Sequence, residues 1–242
     1  MDIDVLAFGA HPDDVELCAG GTLAKMAASG YTAGIVDLTR GELATRGTPA
    51  ERAKEARDAA AILGLIVREN LRLADGDVVV TPASRLKVIR VLRKYRPKIV
   101  LTHYWDDPHP DHVHASRLVT EAVHHSGLAK IKTGRERHRP PVILYYKLTL
   151  DRAPSFVVDI SDYADRRHAA IAAHRSQLYD PDGGGLETIL NRPEFLTHVE
   201  NLHSYYGTLI GKSKGEAFYY KGMLEIKDPV AHFFRGDAPA FP

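Results

Sequence analysis

The sequence predicts an α/β fold in which a mostly parallel sheet is covered by helices on both faces. Short apolar runs alternate with helical patterns along most of the chain, and clusters of polar residues directly follow two of those runs. This alternation favours a parallel sheet, because parallel strands are joined by helical crossovers. A chain of 242 residues can bury one large core, so we expect a single domain over residues 1–242.

The strands of this sheet are predicted from short apolar and β-branched runs that are bounded by turn residues. The predicted strands cover residues 5–8, 35–39, 70–73, 98–102, 142–148 and 156–160, with a later extended segment at 216–220. Asp75-Gly76 is expected to turn the chain after the third strand.

Two helices have clear start signals. Thr48-Pro49-Ala50-Glu51 is a capping box with proline at the first helical position, and Gly64 provides a stop. Thr81-Pro82 marks the start of another helix, which Pro97 ends. Further helices are expected at residues 22–29, from His109-Pro110 onward, at 161–177 and at 195–206. Residues 180–185 are expected to form a loop, and about 180–242 a lid or oligomerisation extension of the same domain.

Charge and composition argue against several classes of partner. Lys and Arg number 32 against 31 Asp and Glu, so the net charge of +1 gives no electrostatic reason to expect nucleic acid. We find no basic leader before an apolar segment and no run near the roughly 18 apolar residues of a membrane span. The single cysteine, Cys18, is typical of a reducing compartment. We therefore expect a cytoplasmic protein with a small-molecule partner and with no nucleic acid or membrane partner.

The first polar cluster runs from Gly9 to Glu16, where the first strand ends. His11 and Asp14 are nitrogen and oxygen donors three residues apart, of the kind that divalent metals bind. Asp13 is expected to point elsewhere, because neighbouring side chains do not share a face. A carboxylate that stays off the metal is free to act as a base. The alternative is that both aspartates only cap the next helix.

The second polar cluster, residues 103–114, follows the fourth predicted strand, and His109-Pro110-Asp111-His112 within it begins a helix. The carboxyl ends of parallel strands lie at one edge of the sheet, so we expect the two clusters to meet. His112 could then complete a set of two histidines and one carboxylate with His11 and Asp14, leaving a position for water. His109 would stand beside the metal, paired closely with Asp111. Spacing alone leaves zinc and non-haem iron open.

These motifs resemble those of the zinc-dependent LmbE-like, or PIG-L-type, N-acetylglucosamine deacetylases. The matching segments are Ala10-His11-Pro12-Asp13-Asp14, Gly20-Gly21-Thr22 and His109-Pro110-Asp111-His112. The resemblance runs from about residue 3 to Gln177 and implies a Rossmann-like, LmbE-like fold. Residues 37–42, Gly47-Thr48, Arg52, Ser176-Gln177 and Glu216-Ala217-Phe218 are similar to the branch that deacetylates N-acetylglucosaminyl-malate in bacillithiol biosynthesis.

The resemblance implies roles for both polar clusters. It implies one Zn²⁺ per chain, held by His11, Asp14 and His112. Asp13 would be the general base, and His109, assisted by Asp111, would be the electrostatic partner in the reaction.

The resemblance also implies that Arg52, Glu42 and Gln177 face the substrate. Arg52 is favoured further by the capping box, which places it in the first turn of its helix, toward the strand ends. In the mycothiol branch a mobile tyrosine lies over the site, and Phe195 is expected in that region of this chain. Because relatives often form hexamers, the resemblance implies a homo-oligomer.

The implied chemistry is hydrolysis of the N-acetyl group of an N-acetylglucosamine conjugate. N-acetylglucosaminyl-malate is the first expected substrate, with free N-acetylglucosamine and diacetylchitobiose as alternatives. A dinucleotide-binding oxidoreductase has a similar order of elements, but Asp13 and Asp14 after the first strand would repel a pyrophosphate. A non-haem iron oxygenase and a non-catalytic metal- or sugar-binding module are further alternatives. The presence of both Asp13 and His109 favours a catalytic protein.

Overall fold

The main sheet is parallel, as the alternation of strands and helices predicted. Its strands in the computed structural model, which describes residues 2–181 and 186–233, are β1 (Val5–Gly9), β2 (Ala33–Thr39), β3 (Val67–Leu73), β4 (Ile99–His103) and β5 (Val142–Tyr146). They lie in the order β3-β2-β1-β4-β5, and every neighbouring pair is parallel. This confirms the predicted α/β fold class.

Helices connect these strands and follow them. They are α1 (Asp14–Ala28), α2 (Pro49–Leu63), α3 (Pro82–Tyr95), α4 (Pro110–Ser126), α5 (Ala164–Ala172), α6 (Phe195–Thr208) and the short α7 (Pro229–Phe233). A separate antiparallel pair consists of β6 (Phe156–Asp159) and β7 (Gly215–Phe218). None of the helices in the described part of the chain has the length and apolarity that crossing a membrane requires.

Alternate side chains of β1 enter the cores on the two faces of the sheet. Leu6 and Phe8 pack with apolar residues of α3 and α4. Val5 and Ala7 pack with apolar residues of α1, α2 and α5. Since successive strand side chains point to opposite faces, this division shows that helices cover both sides.

The predicted capping box at Thr48 is present, and the predicted helix start at Thr81 is a second capping box in the structure. The hydroxyl of Thr48 accepts the N–H of Glu51, and Gly64 ends α2 in a left-handed conformation with φ of 77°. Thr81 caps α3 in the same way, with Ser84 as its partner. These boundaries follow from residues three apart in sequence, which explains why they could be predicted locally.

The first helix begins at Asp14, not at Thr22 as predicted. The two glycines before Thr22 lie inside this helix, although glycine weakens a helix interior. A Cβ at Gly21 would lie 2.7 Å from Ile160 Cδ1 and 3.0 Å from Glu216 Oε1. The glycine therefore serves the close approach of a distant segment, and the helix continues through it.

The helix predicted at 161–177 is shorter in the structure. A 3₁₀ turn at Ser161–Tyr163 precedes α5, which ends at Ala172. Beyond it, the backbone N–H and hydroxyl of Ser176 donate to the carboxylate of Glu55 at 2.8 and 2.7 Å. These bonds to α2 bring the segment after α5 toward the carboxyl edge of the sheet.

The later elements attach to the rest of the fold through β7 and α6. β7 pairs with β6, and Leu202 and Tyr206 of α6 pack against Ala217 of β7. The glycine-rich part of the predicted loop, residues 182–185, lies outside the described residues. The single-domain assignment and the role of about 180–242 as a lid or oligomerisation extension stay predictions.

A buried ion cluster, formed by Glu16, Asp37, Arg68 and His174, joins α1, β2, β3 and the turn after α5. Arg68 donates to both carboxylate oxygens of Asp37 at 2.8 Å and to Glu16 at 2.5 Å. His174 Nε2 lies 3.0 Å from Glu16 Oε1. Burial opposes the charge on Glu16, but Arg68 and His174 outweigh it and lower its pKa to about 2. Burial also opposes a charged His174, but Glu16 raises the pKa of that ring.

Candidate metal centre and active site

The two polar clusters of the sequence meet at the carboxyl edge of the sheet. β1 and β4 are neighbours, and the helices that follow them pack on opposite faces. The turn between β1 and α1 places residues 11–14 at this point, and the segment from β4 into α4 places residues 103–112 opposite. Such a switch in strand order is where open parallel sheets bind ligands.

Three side chains of these segments converge as a candidate metal-ligand set. Asp14 Oδ2 is 3.5 Å from His11 Nδ1, and Asp14 Oδ1 is 3.3 Å from His112 Nε2. The three ligand atoms lie within 4.8 Å of one another. Two imidazoles and one carboxylate suit a divalent transition metal and leave a position for water. The structure thus brings together the set that the motifs predicted.

In His11 and His112, the ring nitrogen that does not face Asp14 contacts another carboxylate. His11 Nε2 lies 3.0 Å from Asp75 Oδ1 and 3.4 Å from Asp111 Oδ2. His112 Nδ1 lies 2.9 Å from Asp107 Oδ1. A carboxylate behind a metal-binding imidazole fixes its tautomer and raises its basicity. The other ring nitrogens, His11 Nδ1 and His112 Nε2, are therefore left to bind a cation.

Sequence reasoning missed Asp75 and Asp107 as parts of this site. Asp75 was expected only to turn the chain, and Asp107 had no predicted role. Both residues come shortly after a strand of the sheet, β3 or β4. That position is the signal that could have found them, because acids after parallel strands share the ligand-binding edge. Asp75 also forms a second group of possible ligand atoms with His11 and Asp111, which shares His11 with the first.

The site carries more negative charge than its own side chains balance. Five carboxylates converge there: Asp13, Asp14, Asp75, Asp107 and Asp111. Besides the imidazoles, the described residues that contact these carboxylates include one guanidinium, that of Arg52. The number, type and charge of the donors therefore fit a divalent cation.

The excess of negative charge raises the pKa values of the two histidines in the ligand set. Burial opposes a charged His11, but hydrogen bonds to Asp111, Asp14 and Asp75 outweigh it and raise its pKa to about 12. Burial likewise opposes a charged His112, but its neighbouring carboxylates raise its pKa to about 9. A metal needs neutral imidazoles, so its binding would release protons from these rings.

Asp13 is not part of the candidate metal-ligand set, as predicted. Its φ of 121° is rare for a residue other than glycine. Its Oδ2 accepts a hydrogen bond from Arg52 Nη2 at 3.0 Å. Burial raises the pKa of Asp13 to about 6, against the lowering effect of Arg52. A carboxylate that titrates near neutral pH beside a metal site suits a general base.

Helix capping does not explain the two aspartates. Asp13 occupies the cap position of α1, but its side chain accepts no capping hydrogen bond. Asp14 is the first residue of the helix, and its Oδ2 accepts the N–H of His11 at 2.7 Å. Both carboxylates are directed into the site.

His109 lines the cavity, but it does not pair with the carboxylate of Asp111 as expected. Its Nδ1 accepts the backbone N–H of Asp111 at 3.2 Å, which makes His109 the cap of α4. The Asp111 carboxylate instead accepts the N–H groups of Gly76 and Val78 and faces His11. Burial and the nearby imidazoles lower the pKa of His109, and a helix start also favours its neutral form.

His103 is a further residue that sequence reasoning did not place in the site. It ends β4, and its ring stacks on His112 with centroids 4.1 Å apart. Its Nε2 accepts the N–H of Ala10 at 3.0 Å and lies 3.1 Å from Asp14 Oδ2. Burial, followed by the charge of His112, lowers its pKa to about 4. A neutral His103 therefore packs against the face of the His112 ring.

A cavity of about 470 Å³ opens beside these residues. The ligand set, Asp13 and His109 form its polar side, and apolar side chains form the other. Phe195, at the start of α6, is among the apolar lining residues. This placement agrees with the expectation that Phe195 lies near the active site.

The structure gives different positions to the three predicted substrate-facing residues. Arg52 and Gln177 line the cavity. The guanidinium of Arg52 donates hydrogen bonds to Asp13 and to two backbone carbonyls, so it holds the proposed base in place. The side-chain amide of Gln177 donates to the carbonyl of Arg46 at 2.7 Å.

Glu42 does not belong to the lining of this cavity. Its carboxylate accepts the backbone N–H groups of Arg40 at 3.1 Å and of Asp75 at 3.3 Å. These bonds pin the loop after β2 against the turn after β3. The structure thus gives Glu42 a role in holding the loop, and its role as a substrate-facing residue stays a prediction.

Comparison with known proteins agrees with this geometry. The model of the GlcNAc-PI de-N-acetylase (PIG-L) family matches residues 6–123, which include both motifs. The diacetylchitobiose deacetylase of Thermococcus kodakarensis is 32% identical over 94% of this chain and 87% of its own length. The probable N-acetyl-α-D-glucosaminyl L-malate deacetylase 2 of Bacillus cereus is 28% identical over 73% of this chain and 84% of its own.

Solved structures confirm the fold. The conserved protein TT1542 from Thermus thermophilus is 39% identical, with a TM-score of 0.84 over 93% of this chain and 98% of that chain. One relative has a different reaction in its name: the 4-oxalmesaconate hydratase of Pseudomonas putida is 30% identical over 71% of this chain and 73% of its own length. The family model and the relative that is 32% identical over almost the whole chain show that this protein belongs to the PIG-L family of deacetylase enzymes, the LmbE-like family that its motifs predicted.

Proposed function

We propose that this protein uses a zinc ion, one per chain, to hydrolyse the N-acetyl group of a sugar that contains N-acetylglucosamine. The observation that supports this most is the separation of Asp13 from the ligand set. His11, Asp14 and His112 converge on one point, while Asp13 lines the same cavity and is held by Arg52. Amide hydrolysis needs this division, since one group must hold the metal while another accepts the proton of water.

The proposed reaction needs a metal-binding set, a base and a residue that positions the base. Zn²⁺, when held by the three ligands, would supply a Lewis acid that activates water and polarises the acetamide carbonyl. Asp13 would accept the proton of the attacking water and later pass it to the departing amine, and a pKa of about 6 suits both transfers near neutral pH. Arg52 keeps the Asp13 carboxylate in place through a 3.0 Å hydrogen bond.

His109 would stabilise the oxygen that gains negative charge during the attack. Because its Nδ1 accepts the N–H of Asp111, a neutral His109 carries its proton on Nε2. A lowered pKa keeps the ring neutral, so His109 would act as a hydrogen-bond donor and not as a charged group. Donors that are already oriented at such an oxygen contribute strongly to catalysis.

For the substrate, diacetylchitobiose has more support than N-acetylglucosaminyl-malate. The diacetylchitobiose deacetylase covers more of this chain at higher identity than the malate deacetylase does. The role in bacillithiol biosynthesis therefore stays a prediction, as do deacetylation of free N-acetylglucosamine, the cytoplasmic location and a homo-oligomeric state.

The test is release of primary amine from diacetylchitobiose by protein that has been stripped of metal and reloaded with zinc. Ferrous iron in a parallel sample separates the two metals that suit this ligand set. We expect amine release with zinc and its loss in Asp13→Asn. Zinc-loaded protein that releases no amine from any N-acetylated sugar, yet hydrates an unsaturated dicarboxylate, would place it with the hydratase relative and overturn the proposal.

A further inference from the structure

The cavity has one side that the chemistry of amide hydrolysis does not use. Apolar side chains from four segments form that side: Leu17, Leu43, Leu148, Ile189, Leu190 and Phe195. Leu17 and Phe195 are almost fully buried and belong to one apolar cluster with Leu148 and Leu190 packed against it. Apolar side chains therefore line the same cavity as the metal centre.

Two of these apolar lining residues are largely exposed to solvent. Leu43 is 71% exposed and Ile189 is 69% exposed. Leu43 comes from the loop after β2, and Ile189 comes from the segment before α6. The Leu43 side chain lies against Gly76, where a Cβ would be only 2.9 Å from Leu43 Cδ1. Covering such surface with an apolar group is favourable.

The cavity offers little to an anionic group. Among the described lining residues, Arg52 and Lys147 are the cationic side chains other than the histidines. Arg52 is 3% exposed and engaged by Asp13. Lys147 has a side chain that is 3% exposed, and its Nζ donates to Asp151 at 2.9 Å. Both cations therefore already face carboxylates of the protein, and the carboxylates of the metal centre would repel a further one.

We infer that the group attached to the N-acetylglucosamine of the preferred substrate is uncharged and apolar, and that Leu43 and Ile189 contact it. This inference rests on the proposed deacetylation and adds the chemical class of the aglycone to it. An aryl or alkyl glycoside fits these apolar side chains better than the dicarboxylate of malate.

The experiment compares phenyl N-acetyl-β-glucosaminide, diacetylchitobiose and N-acetylglucosaminyl-malate as substrates of the zinc-loaded protein. We expect kcat/KM for the phenyl glycoside to exceed that for the malate conjugate by about tenfold or more, the effect of one apolar group in a matching pocket. Leu43→Ser and Ile189→Ser should each reduce this ratio. Leu209→Ser is the matched control, because Leu209 is 52% exposed at the end of α6 and does not line the cavity.

Binding to the Asp13→Asn variant, measured by calorimetry, tests the inference without turnover. We expect a lower Kd for the phenyl glycoside than for the malate conjugate, and a rise in that Kd when Leu43→Ser is added. Equal or tighter binding of the malate conjugate would overturn the inference while leaving deacetylation intact. A change of molecular mass in solution caused by Leu43→Ser would also overturn it, because a second copy of the chain would then cover Leu43. Absence of amine release with intact binding preferences would instead refute only the proposed reaction.

Discussion

The metal centre and the buried ion cluster are built from the same kinds of residues, but they differ in how their charges are balanced. In the buried ion cluster, Glu16 and Asp37 meet Arg68 and His174 within hydrogen-bond distance. Two carboxylates therefore face two cationic partners. At the metal centre, five carboxylates share one guanidinium and a group of imidazoles.

This difference separates a structural ion cluster from a functional one. The guanidinium of Arg68 donates two hydrogen bonds of 2.8 Å to the carboxylate oxygens of Asp37. The charge of Asp37 is therefore balanced by a side chain of the protein itself. The metal centre instead directs His11, Asp14 and His112 at one point and leaves their charge to be balanced by a bound cation. A surplus of carboxylates at a cavity is thus more informative about function than the number of ionisable residues.

The largest effect is expected from Asp13→Asn, which changes the proposed base without changing the ligand set. Amine release should fall by about 10²–10⁴-fold, because the amide cannot accept the proton of water. Metal content should stay at the wild-type value, which is measured by elemental analysis of the same sample. Asp58→Asn on the surface of α2 is the matched control, since its side chain is 53% exposed. Loss of metal in Asp13→Asn would instead make Asp13 a ligand.

Loss of the guanidinium in the buried ion cluster should affect stability more than chemistry. Arg68→Met leaves the carboxylates of Glu16 and Asp37 buried without their main partner, which should lower the free energy of unfolding by about 3–5 kcal/mol. Denaturant unfolding measures this loss. Arg117→Met is the control, because Arg117 forms an exposed pair with Glu121 that contributes little. Equal stability of the two variants would show that the cluster is not the structural element described above.

The same variant should show a characteristic pH dependence. In the folded protein the pKa of Glu16 is about 2, below its ordinary value of 4.5. A lowered pKa contributes stability that is present above pH 4.5 and is lost as the pH falls toward 2. Removing Arg68 removes the main cause of the lowering. The stability difference between wild type and Arg68→Met should therefore shrink as the pH falls below about 4.5, and a difference that grows on acidification would contradict this account.

His109→Ala tests the donor that is proposed to face the developing charge. We expect kcat to fall by about 10²–10³-fold, with a small change in KM, because the interaction strengthens in the transition state. Metal affinity should be unchanged, since His109 is outside the ligand set. A rise in KM alone would reassign His109 to substrate binding.

A smaller effect is expected from Asp107, whose carboxylate contacts the proposed metal ligand His112 and not the metal itself. Asp107→Asn weakens the support of His112, so zinc affinity should fall by about 10–100-fold in competition with a chelator. Asp106→Asn is a close control, because the neighbouring Asp106 has a side chain that is 62% exposed. Equal affinities of the two variants would show that Asp107 does not orient the ligand.

Local signals predicted the parts of the fold and site that depend on neighbours in sequence. The capping box at Thr48, the helix start at Thr81-Pro82 and the acids after β1 needed only short spacings. The ligand set could be predicted because parallel strands bring such loops to one edge. The engagement of Arg52 by Asp13 could not, since the two residues lie 39 positions apart and spacing gives no sign of that contact. The support of His11 by Asp75 likewise depends on the packing of β3 and its turn.

The most direct test of the contrast between the two clusters is a titration of metal-stripped protein with Zn²⁺, followed by calorimetry, for wild type and His112→Ala. We expect one ion per chain in the wild type, with proton release, because the raised pKa values of His11 and His112 keep both rings protonated until a cation displaces their protons. The His112→Ala variant should lose this binding. Wild-type affinity and stoichiometry in His112→Ala, or no binding to the wild type, would contradict the assignment of the carboxylate surplus to a metal centre.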